Sequence, residues 1–157
     1  MYKKILFPLL FVAALFASKT THSQVNRLQQ NQKTVTYNSN IDKPLTVAER
    51  AMINEVYGST ANQNIYSKPQ RLKDIKNILR NRVEIKEISN PSDQKKCTLL
   101  SEVPIMDYYV YDIQRDATFN PDTFNPLKYL FNFYSYGSHM YRVDNTNYFI
   151  IIKSQHQ

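Results

Sequence analysis

Glycine occurs twice and cysteine once in this chain of 157 residues, and tryptophan is missing altogether. Two glycines leave little room for a loop that cradles phosphate, and the sequence has no P-loop, no dinucleotide fingerprint and no G-x-S-x-G. A lone Cys97 excludes an internal disulfide, so stability has to come from packing. The longest apolar run, Ile5 to Phe16, has 12 residues, whereas a helix that spans a bilayer needs about 20. No transmembrane span is expected in the mature chain.

Reactive residues are equally sparse. Besides Cys97 there are three histidines, of which His22 lies near the N-terminus and His156 in the terminal tail, which leaves His139 as the one partner inside an expected element. Two residues of the right type do not make a nucleophile and base, and no local signature surrounds Cys97. Asp107 and Asp112 are five apart, so on one straight strand they face opposite ways and do not flank a bond. Asp116, Asn120 and Asp122 offer oxygen ligands but lack the glycine of a calcium loop. No metal, no cofactor and no catalytic residue is expected, and the chain reads as a non-enzyme.

What is present begins with an export signal. Lys3 and Lys4 precede the apolar run, and small or polar residues follow, with cleavage expected after Ser23 and Ala17 as the alternative. The expected organisation is a signal peptide over 1–23, a flexible polar leader over 24–44 and one domain over 45–157. Loss of Lys3, Lys4 and Lys19 takes the net charge from +7 to +4, so much of the basicity leaves with the signal and nucleic acid is not an expected partner.

Thr46 and Glu49 form a T-x-x-E capping box ahead of Ala48, Met52 and Val56, and Gly58 supplies a stop, so a short helix is expected here. A second helix is expected from Pro69 to Asn81, with Leu72, Ile75, Ile78 and Leu79 inward. Lys73, Lys76 and Arg80 then share its outer side as a basic stripe, a candidate anion-binding surface for an anionic lipid or glycan. From Val83 the period changes to 2, through Val83 and Ile85, then Cys97, Leu99 and Val103, then the stretch from Ile105 to Tyr111. Leu127, Tyr129, Phe131 and Phe133 share one side of a further expected strand. Gly137-Ser138 fits a hairpin turn, Met140 to Val143 returns, and residues 144–147 turn into Tyr148 to Lys153. The last strand is apolar on both faces, which fits a central strand or an edge completed by another chain. The tandem repeat TFNP-D-TFNP, residues 118–126, reads as two turns that tuck Phe119 and Phe124 onto the domain.

These elements predict an α+β fold: two N-terminal helices packed on a mainly antiparallel sheet of about five to six strands, ending in a three-stranded meander. Twelve tyrosines, many on or beside expected strands, exceed what one covered sheet face absorbs. Tyr109, Tyr111, Tyr134, Tyr136 and Tyr141 are the candidate partner-binding residues, tyrosine being well suited to interfaces.

The blocks RLKDIKNILRNR from Arg71, LLSEVP from Leu99, FNPLKYLFNFY and HMYRVDNTNYFIIIKSQ give a sequence that resembles small exported proteins of the Bacteroidetes that carry no assigned function. That resemblance implies a Gram-negative envelope and transfers no site residues. The location expected is the periplasm or the periplasmic face of the outer membrane, with the cell surface as the alternative. The function expected is that of a non-catalytic binding or accessory protein that meets an envelope protein or an outer-membrane complex through its tyrosines. The alternatives are a small periplasmic hydrolase whose site is assembled in three dimensions from Asp107, His139 or Cys97, and an anionic lipid or glycan binder that uses the basic stripe.

Overall fold

The computed structural model describes residues 35–90 and 96–156. The expected signal peptide, the first part of the leader and residues 91–95 lie outside the described residues.

Helix α1, Val47–Tyr57, opens on the capping box its sequence announces: the Thr46 hydroxyl accepts from the Glu49 amide at 3.1 Å, and the Glu49 carboxylate accepts from the Thr46 amide at 2.8 Å. Its buried face is Ile53, Val56 and Tyr57, with Met52 at the margin and Ala48 exposed, so the inward stripe is rotated by about a residue from the one expected. Gly58 ends the helix with φ +51°. A π-helical turn, Asn62–Tyr66, then buries Ile65. Helix α2, Pro69–Asn77, starts with proline in its first turn, where the missing N–H costs nothing, and continues as a π-helical turn, Ile78–Arg82. Ile75 and Ile78 are buried and Leu72 and Leu79 lean on them, as the spacing predicts.

Four strands form one mixed sheet among the described residues: β1 Val83–Glu87, β2 Thr98–Leu99, β3 His139–Arg142 and β4 Tyr148–Ile152, in the order β1-β4-β3-β2. β4 pairs antiparallel with β1 from Val83↔Ile152 to Glu87↔Tyr148, and with β3 from His139↔Ile152 to Arg142↔Phe149. β2 lies parallel to β3. The α+β class and the two helices hold, and β4 is central, with Phe149, Ile150 and Ile152 sealed from solvent. The turn between β3 and β4 falls at 144–147, where Asn145 takes φ 55°.

The five to six strands and the three-stranded meander are corrected. Residues 129–134 keep their alternation, with Tyr129, Phe131 and Phe133 buried and Leu130, Asn132 and Tyr134 exposed, whereas Leu127 and Lys128 are both buried, and the whole stretch runs outside the sheet. Their backbone is satisfied locally: Phe131 N–H donates to the Tyr129 carbonyl at 2.8 Å and Phe133 N–H to the Phe131 carbonyl at 2.7 Å, two successive γ-turns. A single antiparallel bridge, Ile105↔Tyr129, is all the pairing that residues 105–111 make, so that stretch is loop rather than strand. Gly137 does not turn a hairpin; its φ is not positive, and a β-carbon there would meet nothing within 4 Å.

The aromatic core sits between sheet and helices. Phe131 packs on Tyr141 at 4.7 Å and edge-on to Phe133 at 5.8 Å, and Phe124 stacks on Tyr129 at 5.3 Å. The tandem repeat supplies Phe119 and Phe124, 5.2 Å apart. Each repeat closes in the same way, Asn120 accepting from the Asp122 amide at 3.0 Å and Asn125 from the Leu127 amide at 3.1 Å.

Residues 35–44, expected as the end of a free leader, lie along α2. A 3-10 turn, Ser39–Asp42, buries Ile41 there. Asn40 and Asn81 exchange amide hydrogen bonds at 2.7 and 3.0 Å, and the Tyr37 hydroxyl donates to Asp74.

Candidate functional site

Five tyrosines were singled out by sequence, and the fold separates them. Tyr141 is a core residue of β3, buried, its hydroxyl accepting from the Asn132 backbone and side-chain amides at 3.3 and 3.1 Å. It is withdrawn from the surface because β3 turns it inward beside Ile150 of β4 and against the Phe131 ring, 4.7 Å away. Tyr109 is half-buried, its ring 4.8 Å from that of Tyr57. Tyr111, Tyr134 and Tyr136 are exposed by 91%, 67% and 69%, and Tyr108, not among the five, by 73%.

Two loops carry these rings. The first, residues 105–113, is anchored by the bridge to Tyr129 and by Val110, which closes on Gly58. The second, residues 134–136, leaves the γ-turn ribbon just after Phe133. Both reach the C-terminal end of α1. The buried Tyr57 hydroxyl is pushed up to about 12 by desolvation, and it feels Arg71, Tyr109 and Tyr134 together. Tyr136 lies flat on His156, 4.5 Å between centroids. Arg71, exposed on α2, and Tyr134 on the second loop lie within electrostatic reach of Tyr57, as Tyr109 of the first loop does.

The basic stripe is spent within the chain. Lys76 Nζ donates to the carbonyls of Ile41 at 3.0 Å and Lys43 at 2.8 Å. Arg80 grips Glu49 with one edge of its guanidinium, Nε and Nη2 donating to the two carboxylate oxygens at 2.5 and 2.7 Å, and also donates to the carbonyls of Asn40, Lys43 and Pro44. The hydrogen bond from Arg80 holds the Glu49 carboxyl below its ordinary range. Lys73 lies over the Tyr37 ring, 4.7 Å from its centroid. Three cations that looked free on a helical wheel fasten residues 37–44 to α2.

Cys97 is half-buried just ahead of β2, His139 starts β3, and Asp107 is exposed on the first tyrosine loop. The walls of three clefts in the described surface contain none of these three residues. Among the described residues, no group of three or more His, Cys, Asp or Glu is placed to hold a metal ion, and no helix is long and apolar enough to cross a membrane.

Sequence reasoning passed over two buried cations. Lys128 sits under the first turn of the second repeat, paired with Glu55 at 3.1 Å and Asp116 at 2.6 Å. Burial would lower its ammonium, and the two carboxylates outweigh that and raise it. Arg82 lies at the inner end of the π-helical turn. Its position was readable: residue 82 follows Ile75 by seven and Ile78 by four, which is the buried face of the helix.

Comparison with protein-family models, with curated proteins and with solved structures returns no match for this chain.

Proposed function

We propose that this is a non-catalytic binding or accessory protein of the bacterial cell envelope, exported to the periplasm, which meets a protein partner through the tyrosines of residues 108–111 and 134–136. What supports the reading is one observation: four tyrosine rings stand two-thirds or more in solvent while most of the other described aromatic rings pack in or against a common core. Tyrosine gives large, rigid contact area at low entropic cost, and Arg71 beside it adds a second residue type that anchors interfaces. The partner surface is therefore Tyr108, Tyr111, Tyr134 and Tyr136, with Tyr109 as a support beneath and Tyr141 outside it.

Crosslinking with mass spectrometry on cells that carry the tagged full-length chain tests this, together with fractionation of the same cells. A defined outer-membrane or secretion complex is expected, lost when Tyr108 and Tyr111 become Ser and retained when Lys86, on the sheet edge, becomes Gln. Recovery as a free monomer in the soluble periplasmic fraction, or capture that is indifferent to the tyrosine changes, overturns it.

A further inference from the structure

A cleft of about 630 Å³ opens where residues 36–38, the end of the second helix at 77–82 and the chain at 153–155 meet. Among the described residues its wall holds three cations, Arg80, Arg82 and Lys153, and no carboxylate. Two of the three are balanced. Arg80 is paired with Glu49, and Lys153 Nζ lies 3.0 Å from Glu84.

Arg82 is not balanced. The residue is 5% exposed, and among the described residues it makes no ion pair. Nε and Nη2 donate to the Lys153 carbonyl at 3.1 Å each, and Nη2 also donates to that of Phe133. These bonds fix the plane of the guanidinium and leave Nη1 without a partner. No buried side-chain nitrogen among the described residues lacks a hydrogen bond, so Nη1 is open to the cleft.

Asn77 repeats the pattern at 4% exposure. Its Oδ1 accepts from Asn81 Nδ2 at 2.9 Å, and Asn81 is itself locked to Asn40. The Asn77 amide therefore turns Nδ2 the other way, unpartnered, and the same argument opens it to the cleft. Asp74 is the carboxylate that acts on Arg82 from outside, and it is engaged by Tyr37 and by Gln70 at 3.0 Å.

Two fixed donors, one of them a desolvated cation with no counter-ion, make a preorganised place for an anion. The rest of the wall narrows the ligand. Asn38, Ser154 and Gln155 offer amides and a hydroxyl, and among the described residues Tyr37 is the one aromatic of the wall and no Leu, Ile or Val lines it for an acyl chain to lie on. A cavity of this size takes a small ligand rather than a polymer segment.

We infer that the cleft binds a small acidic saccharide, its carboxylate or phosphate held by Arg82 Nη1 and Asn77 Nδ2 and its hydroxyls facing the amides of the wall. This site is distinct from the stripe of Lys73, Lys76 and Arg80 and from the tyrosine surface.

Calorimetric titration of the purified chain at low salt, with D-glucuronate, D-glucose 6-phosphate, D-glucose and acetate as probes, tests the inference. Saturable binding of glucuronate, of glucose 6-phosphate, or of both supports it, and which one binds identifies the anionic group. Asn77→Asp keeps the acceptor for Asn81, removes the donor and puts a negative charge in the cleft; it should weaken that binding about tenfold or more, the worth of one charge-assisted hydrogen bond. Arg82→Lys should do the same, with thermal unfolding run on both variants to confirm folding. Lys86→Gln should leave binding unchanged. No binding of either acidic sugar, equal binding of glucose or acetate, or a folded Asn77→Asp protein with unaltered affinity overturns the inference.

Discussion

A β-carbon added to Gly58 would stand 2.9 Å from Val110 Cγ2, closer than such atoms approach one another. The contact joins the end of α1 to the loop that carries Tyr108 and Tyr111, and Gly58 also holds φ at +51°, which side-chain-bearing residues rarely adopt. Gly58→Ala should cost about 1–3 kcal/mol in urea unfolding, from strain and overlap together. Adding Val110→Ala should recover the overlap and leave the backbone part. Full recovery in the double variant would mean that the dihedral angle is immaterial.

The pairing of Glu49 with Arg80 predicts an acid-sensitive stability. The carboxyl is depressed in the folded chain, chiefly by the hydrogen bond from Arg80, so its contribution is complete above the ordinary glutamate range of about 4.3 and is lost as pH falls through the folded value. Unfolding free energy measured from pH 6 downward should fall less steeply in Arg80→Gln than in the parent. At neutral pH that variant should be less stable by about 2–3 kcal/mol, since it leaves a largely buried carboxylate without its cation and removes one donor each from the carbonyls of Asn40, Lys43 and Pro44. Parallel acid limbs in the two proteins would remove the linkage.

Lys128 gives the opposite kind of test. Its ammonium is buried and depends on two half-exposed acids, so Glu55→Gln combined with Asp116→Asn leaves a cation without compensation and should cost about 3–5 kcal/mol. Lys128→Met, which removes the buried charge and keeps the length, should cost much less. Equal losses in denaturant midpoint for the two variants would contradict this account.

Tyr37 controls the alkaline side. Desolvation first and its bond to Asp74 second push the phenol up to about 12, so the stability tied to it is complete below the ordinary tyrosine value of about 10 and is lost as pH rises through 12. Tyr37→Phe should flatten the decline in stability between pH 10 and 12 and remove one late step from the ultraviolet titration of tyrosine. An unchanged alkaline limb would show that the unfolded chain already protects that phenol.

Local chemistry was legible wherever a short-range rule acts alone. The capping box at Thr46, the first-turn Pro69, the Asn-Pro turns and the 144–147 turn all appear as the residues announce them. Long-range choices were not. Tyr129, Phe131 and Phe133 alternate as a strand does, and burial of one side satisfies that pattern equally well in a ribbon of γ-turns; hydropathy records which side is inside and not where the N–H groups go. Lys76 and Arg80 of the expected stripe are occupied by carbonyls of residues 40–44, a segment with no periodicity to reveal it. The cleft is harder still, since Arg82, Asn77 and Lys153 are brought together by a helix end and a sheet end 71 positions apart in sequence.

The order β1-β4-β3-β2 leaves the sheet with two unequal edges. The β2 edge is two residues long, too short to template another strand, and the β1 edge carries Glu84, Lys86 and Glu87 within five residues. Short length and alternating charge are both ways of discouraging edge-to-edge growth. Edges of this kind give an incoming strand little backbone to pair with, so stacking of copies through these two edges is disfavoured.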